Sequence, residues 1–156
     1  MEKLLNELPE IENSINKIEH MIYVTYPFIH EKQLLFKILE DIKTAITKLI
    51  SIILRHDAAY KKVKLQEDPT GNLRVFIEKC APRYSISNEQ IRQILDILDL
   101  VRKHQDSSME FKRHEKIVIL SEYFSPKTIT IEEIKAFSVL LKEIFTKTIQ
   151  ILEYPL

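Results

Sequence analysis

An imidazole falls on an apolar seam in this chain. Leu49, Ile52, His56, Ala59 and Val63 follow one another at helical spacing, so His56 sits where a helix would face its core. An ionisable ring there costs free energy unless it is hydrogen-bonded. One reading makes His56 a proton-transfer or ligand-contacting residue. The plainer reading makes it a register-fixing polar group, satisfied by Tyr60 or by a backbone carbonyl where the helix bends. Its neighbours Arg55 and Asp57 are expected on other faces of the helix.

A second concentration of chemistry spans 102–116. Arg102, Lys103, Lys112, Arg113 and Lys116 stand against Asp106, Glu110 and Glu115, a local net charge of +2. If 109–120 folds back beside the preceding helix, the basic pairs converge and could hold a phosphate or an RNA backbone through Arg forks. The plainer reading is a solvated helix end, where the macrodipole favours cations. His104 and His114 in the same stretch are the remaining acid–base candidates, for a metal-independent ribonuclease. Neither has a partner acid or base at a fixed helical spacing.

No metal site and no cofactor are expected. His20, His30, His56, His104 and His114 form no His-x3-His pair, and the lone Cys80 has no partner cysteine. Lys79 and Arg83 lie near Cys80, but its position beside Phe76 and Ile77 reads as a buried structural thiol. Gly71 is the only glycine, so neither GxGxxG nor GxxxxGK can be written, which removes Rossmann and P-loop nucleotide sites. The 23 basic and 23 acidic residues cancel, and bulk charge gives no support to nucleic-acid binding.

The elements that must position these residues are helices. Leu4, Leu8, Ile11, Ile15, Ile18 and Ile22 form one seam; Leu35, Ile38, Ile42, Ala45, Leu49 and Ile52 form another. Ile134, Phe137, Leu141, Ile144, Thr148 and Ile151 form a third. The fold class expected is mainly α: a four-main-helix bundle with long antiparallel helices, one domain over 1–156. Helix one is placed from the N-terminus or Leu8 to about Tyr23, with Val24 to Pro27 extended. Helix two is placed from Phe28 or His30 to near Leu65, with a bend or a projecting end past Arg55. Glu67 to Asn72 is read as a loop and Leu73 to Cys80 as a short helix. Ser87 with Gln90 and Thr130 with Glu133 read as capping boxes for two further helices. The first of these is expected to stop at Lys103 or His104, broken by Asp106-Ser107-Ser108. A short β-hairpin is read at 109–120, on the run Ile117-Val118-Ile119-Leu120.

The N-terminal Met-Glu-Lys-Leu-Leu-Asn lacks a basic start followed by an apolar run, so no signal peptide is read. The apolar run Leu49 to Leu54 is too short to span a bilayer. A single cysteine suits a reducing cytosol, and a cytoplasmic protein with no membrane contact is expected.

The overall design resembles the HEPN superfamily of small helical bundles, whose nucleases carry an Arg, four to six residues, then a His on one helix. None of the five histidines here has an Arg at that spacing; Arg102 and His104 are only two residues apart. The resemblance therefore implies a non-catalytic member. The strings Tyr23-Val24-Thr25-Tyr26-Pro27, Lys79-Cys80-Ala81-Pro82-Arg83-Tyr84 and Ser108-Met109-Glu110-Phe111 are similar to those of an uncharacterised family of small archaeal proteins. That likeness implies a prokaryotic cytosol and no activity. The function expected is a non-enzymatic interaction or regulatory module, its seams suiting a homodimer through helices one and two or another protein partner. An RNA or nucleotide-phosphate binder using 102–116 is the alternative.

Overall fold

The computed structural model describes the backbone of residues 2–113 and 129–153, and the side chains of 4–105 and 129–152. The helices are α1 (Glu2–His20), α2 (Tyr26–Ile29), α3 (Lys32–Ala59), α4 (Pro69–Val75), α5 (Asn88–Arg113) and α6 (Ile131–Glu153). Turns of π-helix at Met21–Thr25 and Phe76–Cys80 continue α1 and α4. The described residues contain no strand, and none of their helices is long and apolar enough to cross a membrane.

Both wide turns have the same cause. A proline in an α-helix removes one backbone bond and its ring presses on the carbonyl four residues back. Here the residue just before each proline bonds back five positions instead of four, which relieves that crowding. Tyr26, before Pro27, donates its N–H to Met21 O. Ala81, before Pro82, donates to Phe76 O at 2.8 Å. The expected extended segment at 24–27 is therefore helical: Tyr26 has φ −60° and ψ −42°. The chain stays helical to Ile29, where left-handed His30 (φ 52°) ends it. Pro9 does not set the start of α1, which runs through it from Glu2.

The three seams close on one core. Ile11, Ile18, Ile38, Ile42, Leu49, Ile52, Ile134, Leu141 and Ile144 are buried together. Such close-packed apolar contact is the main term holding the fold. α3 is the central element, packing on α1, α5 and α6; α6 also packs on α1 and α5.

Helix α3 runs unbroken past Arg55 but stops at Ala59, short of the expected Leu65. Lys61 is left-handed (φ 58°). Lys62 N–H reaches Asp57 O at 2.9 Å and Lys61 N–H reaches Ala58 O at 3.0 Å, the paired bonds of a Schellman stop. The expected loop at 67–72 is instead the start of α4. Asp68 is its N-cap, accepting from Gly71 N–H at 2.8 Å, and Pro69 occupies the first turn.

Helix α5 overruns its expected end. Residues 109–113 are its last turn, so the strand expected there is absent; 114–120, the rest of the expected hairpin, lie outside the described residues. Asp106, Ser107 and Ser108 are weak helix formers rather than breakers. Each costs only about half a kcal/mol, and a helix already anchored by Ile94, Ile97 and Val101 propagates through them. The first capping box forms in full, Gln90 N–H donating to Ser87 Oγ at 3.1 Å and Ser87 N–H to Gln90 Oε1 at 3.0 Å; of the second only the cap bond is seen, Glu133 N–H to Thr130 Oγ1 at 3.2 Å.

Candidate functional site

Among the described residues, the densest buried polar constellation joins the last turn of α3 to the segment after the second π turn. His56 and Asp57 are 3% and 2% exposed. Both are buried because α3 is covered on two sides here, and the 76–86 segment closes over the face that Asp57 occupies. Asp57 was expected elsewhere; helix periodicity sees one stripe, whereas a second packing segment buries its neighbour too.

The 80–86 segment is itself a tight helical stop. Ile86 N–H bonds to Ala81 O at 2.9 Å and Ser85 N–H to Pro82 O at 3.3 Å, with Ser85 left-handed at φ 57°. This stop holds Cys80, Arg83 and Tyr84 against α3. Arg83 forms an ion pair with Asp57 Oδ2. Tyr84 donates its hydroxyl to Asp57 Oδ1 at 3.3 Å and lies 3.2 Å from His56 Nδ1. His56 Nδ1 is in turn 3.4 Å from Asp57 Oδ1.

His56 Nδ1 thus has two oxygens in reach, and whether it donates or accepts follows the tautomer. Among the described residues, His56 Nε2 is buried without a partner. Tyr60 does not supply that bond; its ring packs on the imidazole with centroids 4.8 Å apart. Burial, reinforced by the Asp57 carboxylate, pushes the Cys80 thiol up to about 12. The same two causes raise the Tyr84 phenol, so it stays a donor. The cluster therefore combines a held carboxylate, a neutral thiol and an oriented imidazole, with only Arg83 reaching solvent, its side chain 34% exposed. That arrangement can lock two helix ends together. It gives no reactant a path to Nε2 or to the sulfur.

Four of the predicted basic residues lie on α5. Arg102 and Lys103 both pair with Asp99, at 2.8 and 2.9 Å, and this holds the Asp99 carboxyl below its ordinary range. Lys112 and Arg113 lie in the last turn of the same helix, about 15 Å further along by helical rise. Lys116 and His114 lie outside the described residues. His104 stacks flat on Phe36, centroids 3.7 Å apart and rings 4° from parallel. Among the described residues no group of three His, Cys, Asp or Glu is placed to hold a metal ion.

Sequence reasoning missed Asp57 and Tyr84 as partners of His56, and Arg83 as the partner of Asp57. The one signal that pointed there was Pro82, whose helix-ending geometry turns the next two residues back toward α3. Comparisons with protein-family models, with curated proteins and with solved structures find no match for this chain.

Proposed function

We propose that this protein is a non-enzymatic interaction module whose partner docks on the helical turn around Tyr23 to Ile29. The observation that carries the reading is Phe28, which is 86% exposed, with Tyr23, Val24 and Ile29 exposed beside it. Four large apolar side chains within seven residues are more than the scattered apolar surface every protein shows. The scaffold in this reading is an antiparallel bundle of four main helices, α1, α3, α5 and α6, supported by the packing of α3 on the other three. Its seams are buried within the chain, so a homodimer would form through the turn at 23–29 rather than through them. The setting proposed is a reducing cytoplasm, on the single thiol at Cys80.

The test is sedimentation of the wild type against Phe28→Ser/Ile29→Ser, together with photocrosslinking from position 28. Association or crosslinking that the double variant abolishes, with an unchanged melting temperature, supports the reading. A wild type that neither self-associates nor crosslinks through this turn defeats it.

RNA or phosphate binding through Arg102, Lys103, Lys112, Arg113 and Lys116 is the second reading. It is favoured by one observation: the first four lie on a single unbroken helix. Binding that weakens with salt and is lost in Arg102→Ala/Arg113→Ala would establish it.

A further inference from the structure

An open groove of about 600 Å³ runs between the outer face of α3 and the segment 65–73. Its size is that of a small-molecule site. Ile50 and Leu54 form its floor, Leu65, Pro69 and Leu73 its loop wall, and Leu98 of α5 closes one side.

The loop wall is built to hold its shape. Gln66 N–H donates to Asn72 Oδ1 at 2.6 Å, and Asn72 Nδ2 donates back to Gln66 O at 3.0 Å. Asp68 caps α4 beneath them. Gly71 sits at the crossing: a Cβ there would come within 2.8 Å of Asp68 Oδ1 and 3.0 Å of Gln66 Cβ. The only glycine of the chain is therefore placed where this wall closes most tightly.

The charges along the groove are unequal in their freedom. Arg55 is occupied, its guanidinium bonding Glu7 at 2.8 Å and Ser51 O at 3.3 Å. Lys43, partly buried at the other end of the α3 face, forms no ion pair among the described residues. Thr47 gives its hydroxyl proton to Lys43 O, so it offers a ligand only an acceptor. Glu67, on the loop wall, repels an anion from that side.

We propose that this groove binds an anionic amphiphile, with Lys43 holding the head group and the tail lying over Ile50 and Leu54 beneath Leu65 and Leu73. From Lys43 to Leu54 the helix rises about 16 Å, which accommodates an extended chain of about ten carbons together with its head group and the lysine that holds it. The head group is a carboxylate or a phosphate monoester. This surface is separate from the apolar turn at 23–29 and does not depend on its role.

The test is calorimetric titration of the full chain with decanoate and with decyl phosphate, both below micelle formation, against decyltrimethylammonium as the charge-reversed probe. Saturable one-to-one binding of the anions is expected, with the cation at least about fivefold weaker. The tighter of the two anions identifies the head group. Lys43→Met should weaken the anions about fivefold and leave decanol binding unchanged. Ser51 also lines the groove, and Ser51→Phe should block all of them while circular dichroism stays native. Amide shifts of the wild type, which need no variant, should move at Ile50, Leu54, Leu73 and Leu98. No saturable binding, equal or tighter binding of the cation, or shifts centred on Tyr23 to Ile29 would overturn the proposal.

Discussion

Asp57 and Arg83 tie two helix stops together: the carboxylate is buried in the last turn of α3, and the guanidinium that neutralises it comes from the stop at 81–86. The carbonyl of Asp57 also receives Lys62 N–H at 2.9 Å, so one residue closes its own helix and anchors the next.

Removing Arg83 leaves that carboxylate buried and without its charge partner. Arg83→Ala should destabilise by about 3 kcal/mol, and by only about 1 kcal/mol in an Asp57→Asn background. A urea double-mutant cycle reads the difference. Additive effects within about 0.5 kcal/mol would show the pair to behave as a surface bridge.

The raised thiol and phenol make the fold sensitive to alkali. The folded Cys80 thiol titrates at about 12 against an ordinary 9.0, and Tyr84 also lies above its ordinary 10.0. In the window between, the unfolded chain has released protons that the folded chain still holds. Stability is therefore full below pH 9 and falls as pH rises, at roughly 1.4 kcal/mol per pH unit for each group inside its window. Unfolding midpoints measured from pH 8 to 10.5 should drop for the wild type and drop less steeply for Cys80→Ala and Tyr84→Phe.

Lys61 and Ser85 occupy left-handed positions that favour glycine. Lys61→Gly and Ser85→Gly should each stabilise by about 0.5–1 kcal/mol, the relief of Cβ strain exceeding the added entropy of the unfolded chain. The midpoint of urea unfolding should rise with no change in slope.

Much of the helical content was legible because it rests on repeated apolar spacing: Ile11, Ile15 and Ile18 read as a seam and are buried as one. Both helix caps, Ser87 and Thr130, were legible because four residues carry each signal. Helix ends without such signals were not. Lys61 is no more a stop than any other lysine until the chain beyond it is packed. Asp106 to Ser108 read as a break, because local propensity ignores the helix already anchored upstream. His56 was legible as an anomaly, but its partners were not. Tyr84 lies 28 residues away, and Arg83 lies 26 residues from its own partner Asp57; both are brought in by a turn whose geometry depends on Pro82.

Gly71→Ala should cost about 1–2 kcal/mol, since the new methyl meets the capping carboxylate and the Gln66 side chain together. Asp68→Ala should cost about 1 kcal/mol through the lost cap. Because both act on the same turn, thermal melts of the double variant should show less than the sum.

The wide turn at Met21–Thr25 acts on everything after it as a change of phase. It holds one residue more than an α-turn, so the helix beyond it is rotated by about 100° from the course set by Ile11, Ile15, Ile18 and Ile22. Seven residues past Ile22, an unbroken helix would bring Ile29 back to the seam; the slipped one turns Ile29 outward beside Phe28 and leaves Tyr26 packed against the core. A single proline thus converts what would have been one more core position, Ile29, into outer surface. Replacing Pro27 so that an α turn forms there, with no residue deleted, would restore the phase and carry Ile29 back to the seam, without altering any of the side chains that compose the surface.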